Sequence, residues 1–189
     1  AVYSNRNHPE LDLIPTMFYQ SYIYGATSAD AWFTFIDGED YLGDVLLGRL
    51  PVRNRDEMKN AIEKIISYHN QKPQKWHRNV LMIAGEGRDF ESQTDYIVKD
   101  VLPKFLNINR LYVIPGSPFS GGTSKLLNYF NDGQLFINFV GHGGGAIWAD
   151  NGLLKNEDIP KLGNKDKYPF VTSMTCFSGA FDYPQRTAL

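Results

Sequence analysis

The sequence predicts an α/β fold built on a mainly parallel sheet. Short apolar runs bounded by turn residues alternate with stretches of helical period, the pattern that parallel strands joined by right-handed crossovers produce. The two clearest runs, Leu135-Phe136-Ile137-Asn138-Phe139-Val140 and Pro169-Phe170-Val171-Thr172-Ser173-Met174, read as buried strands. Each ends just ahead of a chemically competent side chain, His142 after the first and Cys176, the only cysteine, after the second.

Taken in order, residues 1–53 read as extended and loop-rich. Tyr19, Tyr22, Tyr24, Trp32 and Phe33 precede an acidic loop, Asp37-Gly38-Glu39-Asp40-Tyr41-Leu42-Gly43-Asp44. Val45–Leu50 reads as a short strand closed by Pro51. From Asn54 the period becomes helical: Asn54 and Glu57 fit a capping pair, and Met58, Ile62, Ile65 and Ile66 mark one buried face of a helix running to about Asn70, with Pro73 beyond. Asn79–Ala84 is a strand, and Ser92 to about Leu106 a helix with Tyr96, Ile97, Val101 and Phe105 inward, which Pro103 kinks or ends. Leu111–Ile114 is a strand and Thr123–Phe130 a helix; then come the two apolar strands, with a short helix between them near Glu157–Leu162.

At 189 residues and 21.5 kDa, with 42% hydrophobic and 14% aromatic residues, the chain suits one domain with a sizeable core. That domain is expected to span 1–189, with 54–189 as its catalytic α/β core. A net charge of −2 and a pI near 6.1 give no footprint for nucleic acid or an anionic membrane. One cysteine excludes an internal disulfide framework. No apolar run approaches the roughly 20 residues of a spanning helix, and the N-terminus lacks a signal-peptide pattern. Ala1–Asn7 reads as loop and Arg186–Leu189 ends without a cap, so a piece of a longer protein is expected.

In open α/β sheets the ligand crevice lies beyond the carboxyl ends of the strands. Three polar residues fall there, Glu86 after strand 79–84, His142 and Cys176. A thiol and an imidazole are the minimum for nucleophilic attack on a carbonyl with proton delivery to a leaving amine; an inert buried thiol and a histidine satisfied by local backbone are the alternative. Gly141, Gly143, Gly144 and Gly145 leave backbone N–H groups beside His142 able to approach a substrate oxygen. His142-Gly143-Gly144-Gly145 also matches an esterase oxyanion string, but the required G-x-S-x-G elbow is absent and Ser178 lacks its first glycine. Glu86 could orient the histidine ring, a solvated loop carboxylate being the alternative. Asp37, Glu39, Asp40 and Asp44 offer oxygens suited to calcium, or form an acidic solvated turn. No zinc motif, Walker lysine or full G-x-G-x-x-G is present, and no organic cofactor is expected.

Asp44-Val45-Leu46-Leu47-Gly48-Arg49, Ala84-Gly85-Glu86-Gly87, the segment from Phe130-Asn131-Asp132-Gly133 through Val140-Gly141-His142-Gly143 with Trp148, and Pro169–Cys176 together resemble the gingipain-type cysteine peptidases of family C25. The resemblance runs from about Leu13 onward. It implies a caspase-like three-layer sandwich and a cysteine endopeptidase with Cys176 as nucleophile, His142 as general acid/base, Glu86 orienting the histidine, and the amides of Gly143 and Cys176 as oxyanion hole. It further implies a structural calcium held by main-chain oxygens of Asp37 and Leu42 and carboxylates of Asp40 and Asp44, with Asp95 and Trp148 as substrate-binding candidates. The implied partner is a protein or peptide substrate and the implied location is secreted or on a bacterial cell surface. Cys176-Phe177-Ser178-Gly179-Ala180-Phe181-Asp182 is also similar to PorU-type sortases of the same family, so transpeptidation is an alternative to hydrolysis. A non-catalytic binding module that kept the fold is another.

Overall fold

The computed structural model describes residues 14–182. The segments Ala1–Asn7 and Arg186–Leu189 lie outside the described residues. The chain divides into two units: one runs to Glu63 and takes in Phe181 and Asp182, the other is Lys64–Ala180.

The first unit holds a two-stranded antiparallel hairpin, β1 (Phe18–Ser21) and β2 (Gly25–Ser28). Its turn is built by Ser21, whose Oγ accepts the Ile23 and Tyr24 N–H groups at 3.3 and 3.2 Å, and by Gly25 at φ 69°, a conformation that suits glycine. Val45–Leu50, expected as a strand, forms no ladder. Side chains hold it instead: Arg49 bonds Asp30 through Nε and Nη2, the latter at 2.7 Å, and its Nη1 reaches the Ile14 carbonyl at 2.9 Å.

Helix α1 (Arg55–Asn70) begins where its cap predicts. Asn54 Oδ1 accepts the Glu57 N–H at 2.9 Å, while Glu57 reaches back one residue further than a capping box requires, to the Arg53 N–H at 2.7 Å. The expectation of a buried apolar face needs correction: Ile62, Ile65 and Ile66 are 44%, 56% and 54% exposed. Helical period identifies an apolar stripe but not a surface to cover it.

The second unit is a four-stranded sheet of order β4-β3-β5-β9, parallel throughout: β3 (Asn79–Ala84), β4 (Asn107–Tyr112), β5 (Phe136–Val140) and β9 (Phe170–Met174). β4 starts and ends earlier than expected. Its polar Asn107, Asn109 and Arg110 disguise a strand, which an edge position tolerates because only one neighbour has to be satisfied. Between β3 and β4, helix α2 (Arg88–Tyr96) starts before the expected Ser92, with Asp89 and Glu91 in the first turn complementing the helix dipole. It continues as a π-helical turn, Ile97–Val101, where the Leu102 N–H reaches back to Ile97 at 2.9 Å, and stops before Pro103. Of the residues expected inward, Ile97 is half-buried while Tyr96, Val101 and Phe105 are exposed, and Thr94 is the buried residue of the helix.

Helix α3 (Thr123–Asp132) places Leu126 and Phe130 against Leu81, Ile83, Leu111, Ile137 and Phe139, which all alternate onto one face of the sheet. On the opposite face Asp95 of α2 meets Arg110 and Tyr112 of β4, so helices cover both faces of the sheet. A small antiparallel sheet of β6 (Gly143–Gly144), β7 (Ile147–Trp148) and β8 (Leu154–Lys155) follows β5 and leads into a 3-10 helix, Asn156–Lys161, near the expected short helix.

Candidate active site

Register gathers the three strand-end residues. β3 pairs with β5 as Ala84↔Val140, and β5 with β9 as Val140↔Met174. Glu86, His142 and Cys176 each lie two positions beyond these paired residues, in a row along the carboxyl edge of three neighbouring strands. Parallel neighbours run about 4.8 Å apart, so the row emerges side by side. Two hydrogen bonds carry the pairing past the strand ends, Gly85 N–H to Val140 at 2.9 Å and Gly141 N–H to Met174 at 3.3 Å.

Glycines make the approach possible. A Cβ on Gly85 would lie 3.0 Å from Gly141 Cα, and one on Gly141 would lie 2.9 Å from Gly85 Cα, so neither strand end accepts a side chain here. A Cβ on Gly143 would lie 2.5 Å from Thr175 Oγ1 and 2.9 Å from the Ile147 carbonyl. The turn carrying His142 therefore sits directly against the turn carrying Cys176. The Ala149 N–H bonds the His142 carbonyl at 2.9 Å, which makes Gly143↔Trp148 a non-hydrogen-bonded pair of the β6-β7 ladder. That ladder leaves the Gly143 N–H unused. Cys176 and His142 are both exposed, and Phe177, next to the cysteine, sits at φ 58°.

Glu86 does not bond the imidazole. Its Oε2 and Oε1 accept the Asp150 and Asn151 N–H groups at 3.2 and 3.0 Å, fastening the strap whose Ala149 holds the His142 carbonyl. Phe90 meets the imidazole edge-to-face, with centroids 5.1 Å apart and planes at 85°. Sequence reasoning missed it; its position in the first turn of a helix starting right after Gly87 was the available signal.

The two expected substrate-binding residues both bond to the scaffold around them. Trp148 is 3% exposed, stacks on Phe139 at 4.8 Å and donates from Nε1 to Ser173 Oγ at 2.7 Å. Asp95 accepts Arg110 Nη1 at 2.9 Å and the Tyr112 hydroxyl, beside the edge strand farthest from β9. Burial first, then the bond to Asp95, hold the Tyr112 phenol above its ordinary pKa. Next to the cysteine turn, Ser178 and Gly179 border an apolar cavity of about 370 Å³ whose other walls include Phe130, Trp148, Ile159 and Val171, so one side of Trp148 faces the space beside the candidate nucleophile. Among the described residues no acidic side chain lines it.

In the first unit the acidic loop folds on its own hydrogen bonds. Asp44 Oδ2 accepts the Ile36 and Asp37 N–H groups at 2.8 and 3.0 Å, and Asp40 Oδ1 accepts the Leu42 N–H at 2.9 Å. The Asp37 and Ile36 amides hold the Asp44 carboxyl below its ordinary pKa. Among the described residues no three His, Cys, Asp or Glu side chains converge on one point. The donor chemistry suits a hard cation, with Asp40 Oδ2 and Asp44 Oδ1 outside these loop bonds.

The fold is that of the solved Arg-specific cysteine proteinase gingipain R, matched at TM-score 0.74 and 21% identity over 95% of this chain and 41% of that one. This is a caspase-like α/β fold. The model of peptidase family C25 matches residues 1–189, and the chain belongs to that family of cysteine-type peptidases. Curated relatives include Lys-gingipain of Porphyromonas gingivalis, 29% identical over 163 residues (82% of this chain), and gingipain R2 of the same species, 25% identical over 160 residues (81% of this chain). The matched region spans 9% of the first protein and 22% of the second. Among the described residues no helix is long and apolar enough to cross a membrane.

Proposed function

We propose that this chain cleaves peptide bonds through an acyl-enzyme on Cys176. The common register of Glu86, His142 and Cys176 on three adjacent parallel strands supports the reading most strongly. The Cys176 thiolate attacks the scissile carbonyl carbon, forming the C–S bond and pushing an electron pair onto oxygen. The Gly143 and Cys176 N–H groups stabilise that oxyanion. As the C–N bond breaks, the His142 imidazolium gives its proton to the leaving amine. His142 then takes a proton from water, which attacks the acyl carbon and releases the thiolate. Glu86 serves this sequence through the backbone, by fastening the 150–151 strap.

The substrate is a protein or peptide, and the apolar lining beside Ser178 gives no reason to propose cleavage after a basic residue. Digestion of a mixed peptide library, read by mass spectrometry, tests the proposal. Cleavage abolished in both Cys176→Ala and His142→Ala supports it; cleavage that persists in Cys176→Ala overturns it.

Two subordinate proposals go with this reading. One is secretion or cell-surface display, checked by fractionating the producing cell. The other is calcium at the Asp37–Asp44 turn, resting on the carboxylate oxygens that the loop leaves over. A rise in Tm with about millimolar calcium supports it; an unchanged Tm removes it, and the peptide chemistry stands either way.

A further inference from the structure

We infer that Phe90 is the positioning residue for the His142 imidazole. The inference rests on His142 and Cys176 being the acting pair. An exposed histidine turns freely about two side-chain bonds, so a proton carrier at a strand end needs something to hold its ring. The carboxylate expected to do so, Glu86, has both oxygens on the Asp150 and Asn151 amides. What meets the ring is Phe90, with centroids 5.1 Å apart and planes at 85°, the edge-to-face geometry that aromatic pairs prefer.

The backbone is shaped to deliver this contact. Gly87, at φ 127°, turns the chain sharply after Glu86 and starts α2, so that Phe90 falls in the first helical turn. A Cβ on Gly87 would touch Phe90 Cδ2 at 3.4 Å, so the phenyl ring packs back over the turn towards the strand ends. Phe90 is half-buried, anchored on its helix with one side towards His142. The short segment 85–90 thus fixes His142 twice, its backbone through Glu86 and the strap, its ring through Phe90.

The test needs no substrate. Alkylation of Cys176 by iodoacetamide, followed from acid to neutral pH, reads how reactive the thiol is with His142 in place. Phe90→Leu, and Phe90→Met as a second variant of similar bulk without a ring, should lower the neutral-pH rate about three- to tenfold, the range an edge-to-face pair supports, and shift the acid limb of the profile. Phe90→Tyr should restore both. In NMR spectra the His142 ring protons should lose their ring-current displacement in the Leu and Met variants and keep it in the Tyr variant. If Phe90→Leu and Phe90→Met match the parent in rate and profile while His142→Ala abolishes the neutral-pH reactivity, the Phe90 role is overturned and the site reading stands. If His142→Ala itself changes nothing, the site reading fails and the inference with it.

Discussion

Thr175 Oγ1 occupies the space that a side chain at residue 143 would need: a Cβ on Gly143 would lie 2.5 Å from it. That contact joins the two halves of the candidate site, because Gly143 follows the histidine and Thr175 precedes the cysteine. The Thr175 hydroxyl has no protein hydrogen-bond partner among the described residues, so packing against Gly143 is what positions it.

Gly143→Ala should therefore separate the two turns. Overpacking of this kind costs about 1–3 kcal/mol of stability, measurable by urea unfolding. Activity should fall much further, by about 10²-fold or more, because the displaced amide is the one assigned to the oxyanion. Gly144→Ala is the control: the nearest atom to its Cβ would be at 3.7 Å, and activity should be nearly unchanged.

Asp95→Asn should cost about 1 kcal/mol of stability, discounted for the partial exposure of the Arg110 pair. It should leave the sequence preference at the cleavage site unaltered, because the carboxylate is engaged by Arg110 and Tyr112. A changed preference in peptide profiling would return Asp95 to the substrate site.

The first unit should carry an acid-sensitive contribution from Asp30. The Arg49 hydrogen bonds lower its pKa most, the Thr16 hydroxyl at 2.6 Å adds to this, and burial opposes. A depressed carboxylate stabilises the fold above its unfolded pKa, about 3.9, and loses that contribution as pH falls through the lower folded value. The Tm gap between the parent and Asp30→Asn should hold constant from neutral pH to about 5 and shrink as pH falls through the unfolded value towards the lower folded one. A gap independent of pH would contradict this.

The inner strands were legible in the sequence because burial on both faces leaves compact apolar runs, as in Asn79–Ala84 and Phe136–Val140. The expectation that Phe170–Met174 is buried needs correction: it is an edge strand with Phe170, Val171 and Met174 exposed, and its apolar run marks a strand without a cover among the described residues. Parallel order, and with it the row of Glu86, His142 and Cys176, followed from the alternation of strand and helix. Features decided by partners were not legible. The β1-β2 hairpin depends on a Ser21 side chain closing its turn, and which residues of α1 and α2 are covered depends on what packs against them, which helical period does not specify. The site divided in the same way. Strand ends located Glu86, but no spacing could indicate that its oxygens would go to the amides of residues 150 and 151 and leave the imidazole to Phe90.

The central claim is that Cys176 is a nucleophile served by His142. Intact-mass analysis after treatment with a peptidyl acyloxymethyl ketone tests it most directly. The account predicts a single covalent adduct on Cys176, absent in Cys176→Ala and slowed at least about 10²-fold in His142→Ala, within the range general acid–base catalysis supplies. An adduct that forms equally well in Cys176→Ala would contradict it.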